Sequence, residues 1–81
     1  MACINPDGTL TEVAARVLAA LLERPAGTED LAAATGLPLY RVRGTVRETG
    51  AAGLIEDGPG GWQLTDKGRE VLELSLEDAS P

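Results

Sequence analysis

Eighty-one residues, 43% hydrophobic and 25% charged, make one small domain and are too apolar for general disorder. A net charge of −6 argues against indiscriminate nucleic-acid binding, which depends on neutralising phosphates. With no His and a single Cys the chain can build neither an intramolecular disulfide nor a metal constellation, and with no Phe its core has to be aliphatic.

Residues 1–9 read as a flexible arm, with Asn5-Pro6-Asp7-Gly8 a strong turn signal and Cys3 an incidental free thiol. The arm has neither a basic nor an apolar leader region, and no run of about 20 apolar residues follows, so a cytoplasmic protein with no membrane span is expected. The first helix is expected to be capped near Thr9 and to run to about Glu23. Leu10, Val13, Ala14, Val17, Leu18, Leu21 and Leu22 form its apolar stripe, and Glu12 and Arg16 a favourable i,i+4 pair.

Arg24-Pro25-Ala26-Gly27 breaks the chain. Thr28 can cap a second helix whose first turn carries Glu29 and Asp30, where the dipole favours negative charge. Gly36 stands where a turn needs positive φ, and Pro38 can open a third helix running to about Ala52. On that helix Leu39, Val42, Val46, Thr49 and Gly53 share the side expected to be buried. Tyr40, Gly44, Arg47 and Glu48 take the far side, flanked by Arg43 and Arg41. Gly50 inside the helix predicts a frayed or irregular last turn.

Gly53-Leu54-Ile55 leads into a strand, Gly58 to Gly61 form a turn, and Trp62-Gln63-Leu64 return. Trp62 is expected to cover the core, since a chain lacking Phe needs its one large ring there; the alternative is an exposed anchor in a protein interface. Thr65 can cap a last helix from Asp66 to about Glu77, with Val71, Leu72 and Leu76 inward and residues 78–81 left as a disordered tail. The fold class expected is therefore mainly α: a winged helix-turn-helix, with a three-helix bundle, a two-stranded β-hairpin wing and a C-terminal helix, spanning residues 10–77.

Several landmarks resemble bacterial winged-helix regulators of the MarR/ArsR type: Leu31-Ala32, Thr35-Gly36-Leu37, Val42 with Val46, Gly53-Leu54-Ile55, and Leu64-Thr65 with Gly68. The resemblance implies a DNA-binding transcription regulator whose third helix presents Leu39, Tyr40, Arg41, Arg43, Gly44 and Arg47 to the major groove. This chain departs from the pattern at two places. Thr49 stands where those regulators usually have a large apolar residue, which predicts lighter packing behind the helix. No basic residue occurs between Arg47 and Lys67, and Glu56 and Asp57 put negative charge at the base of the wing.

The three arginines against Glu48 give residues 38–48 a charge of +2, leaving −8 on the rest. Double-stranded DNA is the partner expected from this placement. An acidic protein-interaction module that never touches DNA is the alternative. Apolar residues on both stripes of the first helix, with Leu74 on the last, lead to an expected homodimer through those two helices. No catalytic set can be assembled without His, and the glycine-rich turn joins two strands instead of opening a helix. Neither an enzyme nor a cofactor is expected.

Overall fold

An aliphatic chain this short can cover its apolar stripes only by stacking helices around one of them, and α1 takes that central place. The computed structural model describes residues 10–78, with side chains through residue 75. The elements are α1 (Glu12–Glu23), α2 (Thr28–Thr35), α3 (Leu39–Ala51), β1 (Ile55–Gly58), β2 (Gly61–Leu64) and α4 (Asp66–Asp78). Helix α1 packs against α2, α3, α4 and β2, and the antiparallel hairpin β1–β2 follows the helical bundle as a wing. The fold is a winged helix-turn-helix with a C-terminal helix, as the sequence pattern predicts.

The core comprises Leu10, Ala14, Val17, Leu18 and Leu21 from the α1 region, Ala26, Leu31, Val42, Val46, Leu54, Ile55 and Leu72. Polar groups inside it are accounted for. The Thr49 hydroxyl, fully buried, donates to the Thr45 carbonyl at 2.7 Å, and the Leu10 N–H donates to Ser75 Oγ at 2.8 Å, tying the entry of α1 to α4. Among the described residues no buried side-chain polar atom lacks a partner. The space behind α3 is thus filled by a self-satisfied threonine, with Thr45 also buried beside it.

Several boundaries differ from expectation for local reasons. Thr9 lies outside the described residues; the observed cap of α1 is Thr11, whose side chain accepts from the Ala14 N–H. Leu10 therefore precedes the helix. Gly27, not Thr28, is the N-cap of α2, and Thr28 is its first helical residue, because the chain is already extended at Gly27. Pro38 is the N-cap of α3, where its missing N–H still costs nothing and its carbonyl accepts from Val42 at 3.1 Å.

The last turn of α3 is not frayed. The Leu54 N–H reaches the Thr49 carbonyl at 2.9 Å and the Gly53 N–H reaches Gly50 at 3.1 Å, with Gly53 left-handed at φ +80°. That pairing closes the helix with the reciprocal bonds of a Schellman motif. It also moves Gly53 off the buried stripe predicted for it and leaves it exposed outside the helix. Helix α4 runs to Asp78, one residue past the predicted end, and the side chain of Leu76 lies outside the described residues. The arm 1–9, with Cys3, and residues 79–81 lie outside them as well.

Candidate nucleic-acid interface on the third helix

The turn that aims α3 is built from three residues. Gly36 takes the left-handed conformation at φ +74° and donates its N–H to Ala32, ending α2. Thr35 Oγ1 donates to the Leu31 carbonyl at 2.6 Å and accepts from the Leu37 N–H at 3.3 Å, so one hydroxyl bridges the end of α2 to the turn. Val42, Thr45, Val46 and Thr49 then fix the roll of α3 by burial. Leu39, assigned to the buried side and to the reading surface alike, is half-buried and stands between them.

With that roll fixed, the remaining residues follow at about 100° per residue. Tyr40, Gly44 and Arg47 point most directly away from the core. Tyr40 is 74% exposed, and open space surrounds the position a Gly44 side chain would take. Arg43 and Arg41 are exposed on opposite flanks, Arg43 toward the wing and Arg41 away from it, on the side that carries Glu48 two turns further on. The six expected residues thus share one helix but not one line. Arg16 on α1 pairs with Glu12 at 3.1 Å, the favourable i,i+4 pair expected there.

The wing is held by backbone. Register pairs Ile55 with Leu64, Glu56 with Gln63, Asp57 with Trp62 and Gly58 with Gly61, so only Pro59 and Gly60 lie beyond the ladder. Trp62 also exchanges both backbone hydrogen bonds with Ala26, at 2.9 and 3.1 Å, adding a one-residue third strand that sequence periodicity cannot show. Gly61, at φ +114°, lies so close to Ala26 and Gly27 that a Cβ would overlap their backbone. Gly68 packs on the Leu54 carbonyl in the same way, which gives the Leu64-Thr65-Asp66-Lys67-Gly68 run its physical meaning. Thr65 Oγ1 donates to Gly53 at 2.6 Å and accepts from the Gly68 N–H at 3.0 Å, capping α4 and fastening it to the exit of α3.

Between α3 and the wing lies an open groove of about 550 Å³, which no local pattern in the chain announces. Val46, Gly50, Ile55 and Trp62 line it, with Arg43 and Arg47 along the α3 rim and Glu56 on the wing rim. Trp62 is half-buried: it packs on the core as expected and also walls this groove. Glu56 is steered by Gln63, whose amide donates to its carboxylate at 3.4 Å.

The apolar surplus expected for a homodimer is small. Leu10, Ala14, Val17, Leu18 and Leu21 are buried and Val13 is half-buried, leaving Leu22 and Leu74 exposed on α1 and α4. Among the described residues no helix is long and apolar enough to cross a membrane. No protein-family model matches the chain, and a comparison with curated proteins finds no match.

Proposed function

We propose that this domain binds double-stranded DNA by laying α3 in the major groove, as a small transcription regulator. The observation that carries the reading is the face of α3 that the described residues leave exposed, with three arginines on a helix whose opposite face is locked in the core. A helix in the major groove has a phosphate wall on each side and base edges in front. Arg41 and Arg43, on opposite flanks, suit the two walls. Arg47 and Tyr40 suit the base edges, and Gly44 between them lets the helix approach closely. Arginine is the side chain best matched to both tasks, through its planar fork of donors.

The acidic wing adds no phosphate contact to this scheme. Arg41 and Arg43 on the phosphate walls release counterions from the duplex. Even with Arg47 as a third phosphate contact, the slope of log affinity against log salt is no steeper than about −2.7, three times the −0.9 expected per phosphate. Titrating random duplex DNA at low salt tests the reading, because non-specific affinity there comes almost wholly from phosphate contacts. Absence of binding at about 20–50 mM salt would sink it. The second reading, an acidic protein-interaction module, is favoured by the open groove walled by Trp62, a residue type enriched at interface anchors.

A further inference from the structure

The two rims of the groove between α3 and the wing carry opposite charge. Its lining holds two cations, Arg43 and Arg47, one helical turn apart on α3, and one anion, Glu56 on β1. Glu56 is exposed, and the Gln63 amide across the ladder steers its carboxylate by donating to it at 3.4 Å. Asp57, next in the chain, belongs to the opposite face of the strand, since successive side chains alternate, and takes no part in the lining. The wing thus places one of its two carboxylates in the space that the arginines share and turns the other away.

On the DNA reading Arg43 serves the phosphate wall on the wing side, and Arg41 serves the far wall. The strand that forms the near wall then runs past the mouth of the groove, where Glu56 stands. A carboxylate there acts twice. It draws on the guanidinium groups that phosphate needs, and it repels the phosphate itself. Arg41, on the flank away from the wing, is spared both effects. Among the described residues no cation stands within ion-pair distance of Glu56, so its charge is left to act across the groove.

We propose that Glu56 limits phosphate binding by α3, so that retention on DNA depends on base contacts. Its repulsion weighs on every duplex alike. Random DNA offers this helix little besides phosphates, whereas a matching sequence adds contacts from Arg47 and Tyr40 to base edges, which offset the repulsion. The proposal rests on the DNA reading and deepens it by assigning the class of ligand: a duplex whose base edges, and not its phosphates alone, supply the affinity. In a chain of net charge −6, Glu56 is the acidic side chain that lines the same groove as the reading arginines, so its position matters beyond its share of the total.

Titration of random duplex DNA with the whole chain and a set of charge variants tests this. Glu56→Gln keeps the size of the side chain and an oxygen for the Gln63 amide. It is expected to tighten binding about three- to tenfold at about 20–50 mM salt. The gain is expected to shrink as salt rises, since screening confines the charge to about 10 Å at 0.1 M. Glu56→Lys is expected to go further and to steepen the salt slope by about 0.9, one added phosphate contact. Asp57→Asn and Glu70→Gln change the net charge by the same single unit. The first is expected to gain less than Glu56→Gln, and the second least of all. All three positions are exposed, and circular dichroism melts of the variants establish that each is folded. A Glu56→Gln that binds like the parent overturns the proposal, as do equal gains from all three neutral variants, because net charge alone then accounts for them. In both of those cases the parent still binds and the DNA reading stands. Silence from the parent and from Glu56→Lys alike removes the reading and the proposal together.

Discussion

The helix-turn-helix half and the wing half of this domain are held by different physics. Helices α2 and α3 are positioned by side-chain burial, with Leu31, Val42 and Thr49 fully enclosed and a left-handed Gly36 that has open space around it. The wing and the start of α4 bury Leu54, Ile55 and Leu72 as well, but they add backbone-against-backbone contacts, at Gly61 over Ala26 and Gly68 over Leu54, where no side-chain atom fits. Interfaces built from side chains can repack around a conservative change, whereas backbone contacts tolerate not even a methyl group. The outer face of α3 and the wing also differ in charge. Helix α3 presents Arg41, Arg43 and Arg47, whereas the wing presents Glu56 and Asp57. The wing of this protein is thus clasped to the core through the backbone of Ala26, Gly61 and Trp62.

The sharpest way to break the comparison is to hollow out the side-chain half. Leu31→Ala is expected to cost about 2–5 kcal/mol, the range for a fully buried leucine. In a domain this small such a loss is a large share of the total stability. A chemical or thermal melt unchanged from the parent would mean that Leu31 does not anchor α2 beneath α3.

Adding one methyl tests the backbone half. Gly68→Ala and Gly61→Ala each force a Cβ into neighbouring backbone, and overpacking of this kind costs about 1–3 kcal/mol, with Gly61 also strained by its positive φ. Gly36→Ala, strained in φ but unobstructed, is expected to cost less than either. Equal losses at all three positions in urea titrations would erase the distinction between the two halves.

Function separates the halves next. On the DNA reading, Arg43→Ala and Arg47→Ala each weaken duplex binding, by about 1–3 kcal/mol where a base contact is lost and by about one unit of salt slope where a phosphate contact is lost. Both side chains are exposed, so their melting temperatures should stay at the parent value. Parent-like DNA affinity in both variants would remove α3 as the reading surface.

The smallest expected effect is a gain. Gly50 is the penultimate residue of α3, and a Cβ there meets only Ile55 Cγ1 at an ordinary 3.9 Å. Gly50→Ala is expected to stabilise the fold by up to about 1 kcal/mol, the helix-propensity difference. A lowered melting temperature would show that α3 needs the glycine for a reason other than its backbone geometry.

Much of this architecture was legible in the chain because local rules carry it. The three-to-four-residue apolar spacing places α1 and α3, Gly36 marks the turn between α2 and α3, Thr65 caps α4, and Gly58 to Gly61 turn the hairpin. The same phases put Tyr40, Gly44 and the three arginines on the outer side of α3, since a helix that buries Val42 and Val46 has no other way to turn them. What only the tertiary structure decided involves partners distant in sequence. The bridge from Ala26 to Trp62, the bond from Leu10 to Ser75, the seat of Gly68 on Leu54, and the groove that gathers Arg43, Arg47, Ile55 and Trp62 each join segments whose separation no periodicity encodes. Burial of the apolar stripe on α1 was settled the same way, because whether a stripe is surplus depends on how many neighbours pack against it. Local pattern fixes which face of an element is apolar, and only the packing of the whole chain fixes what that face meets.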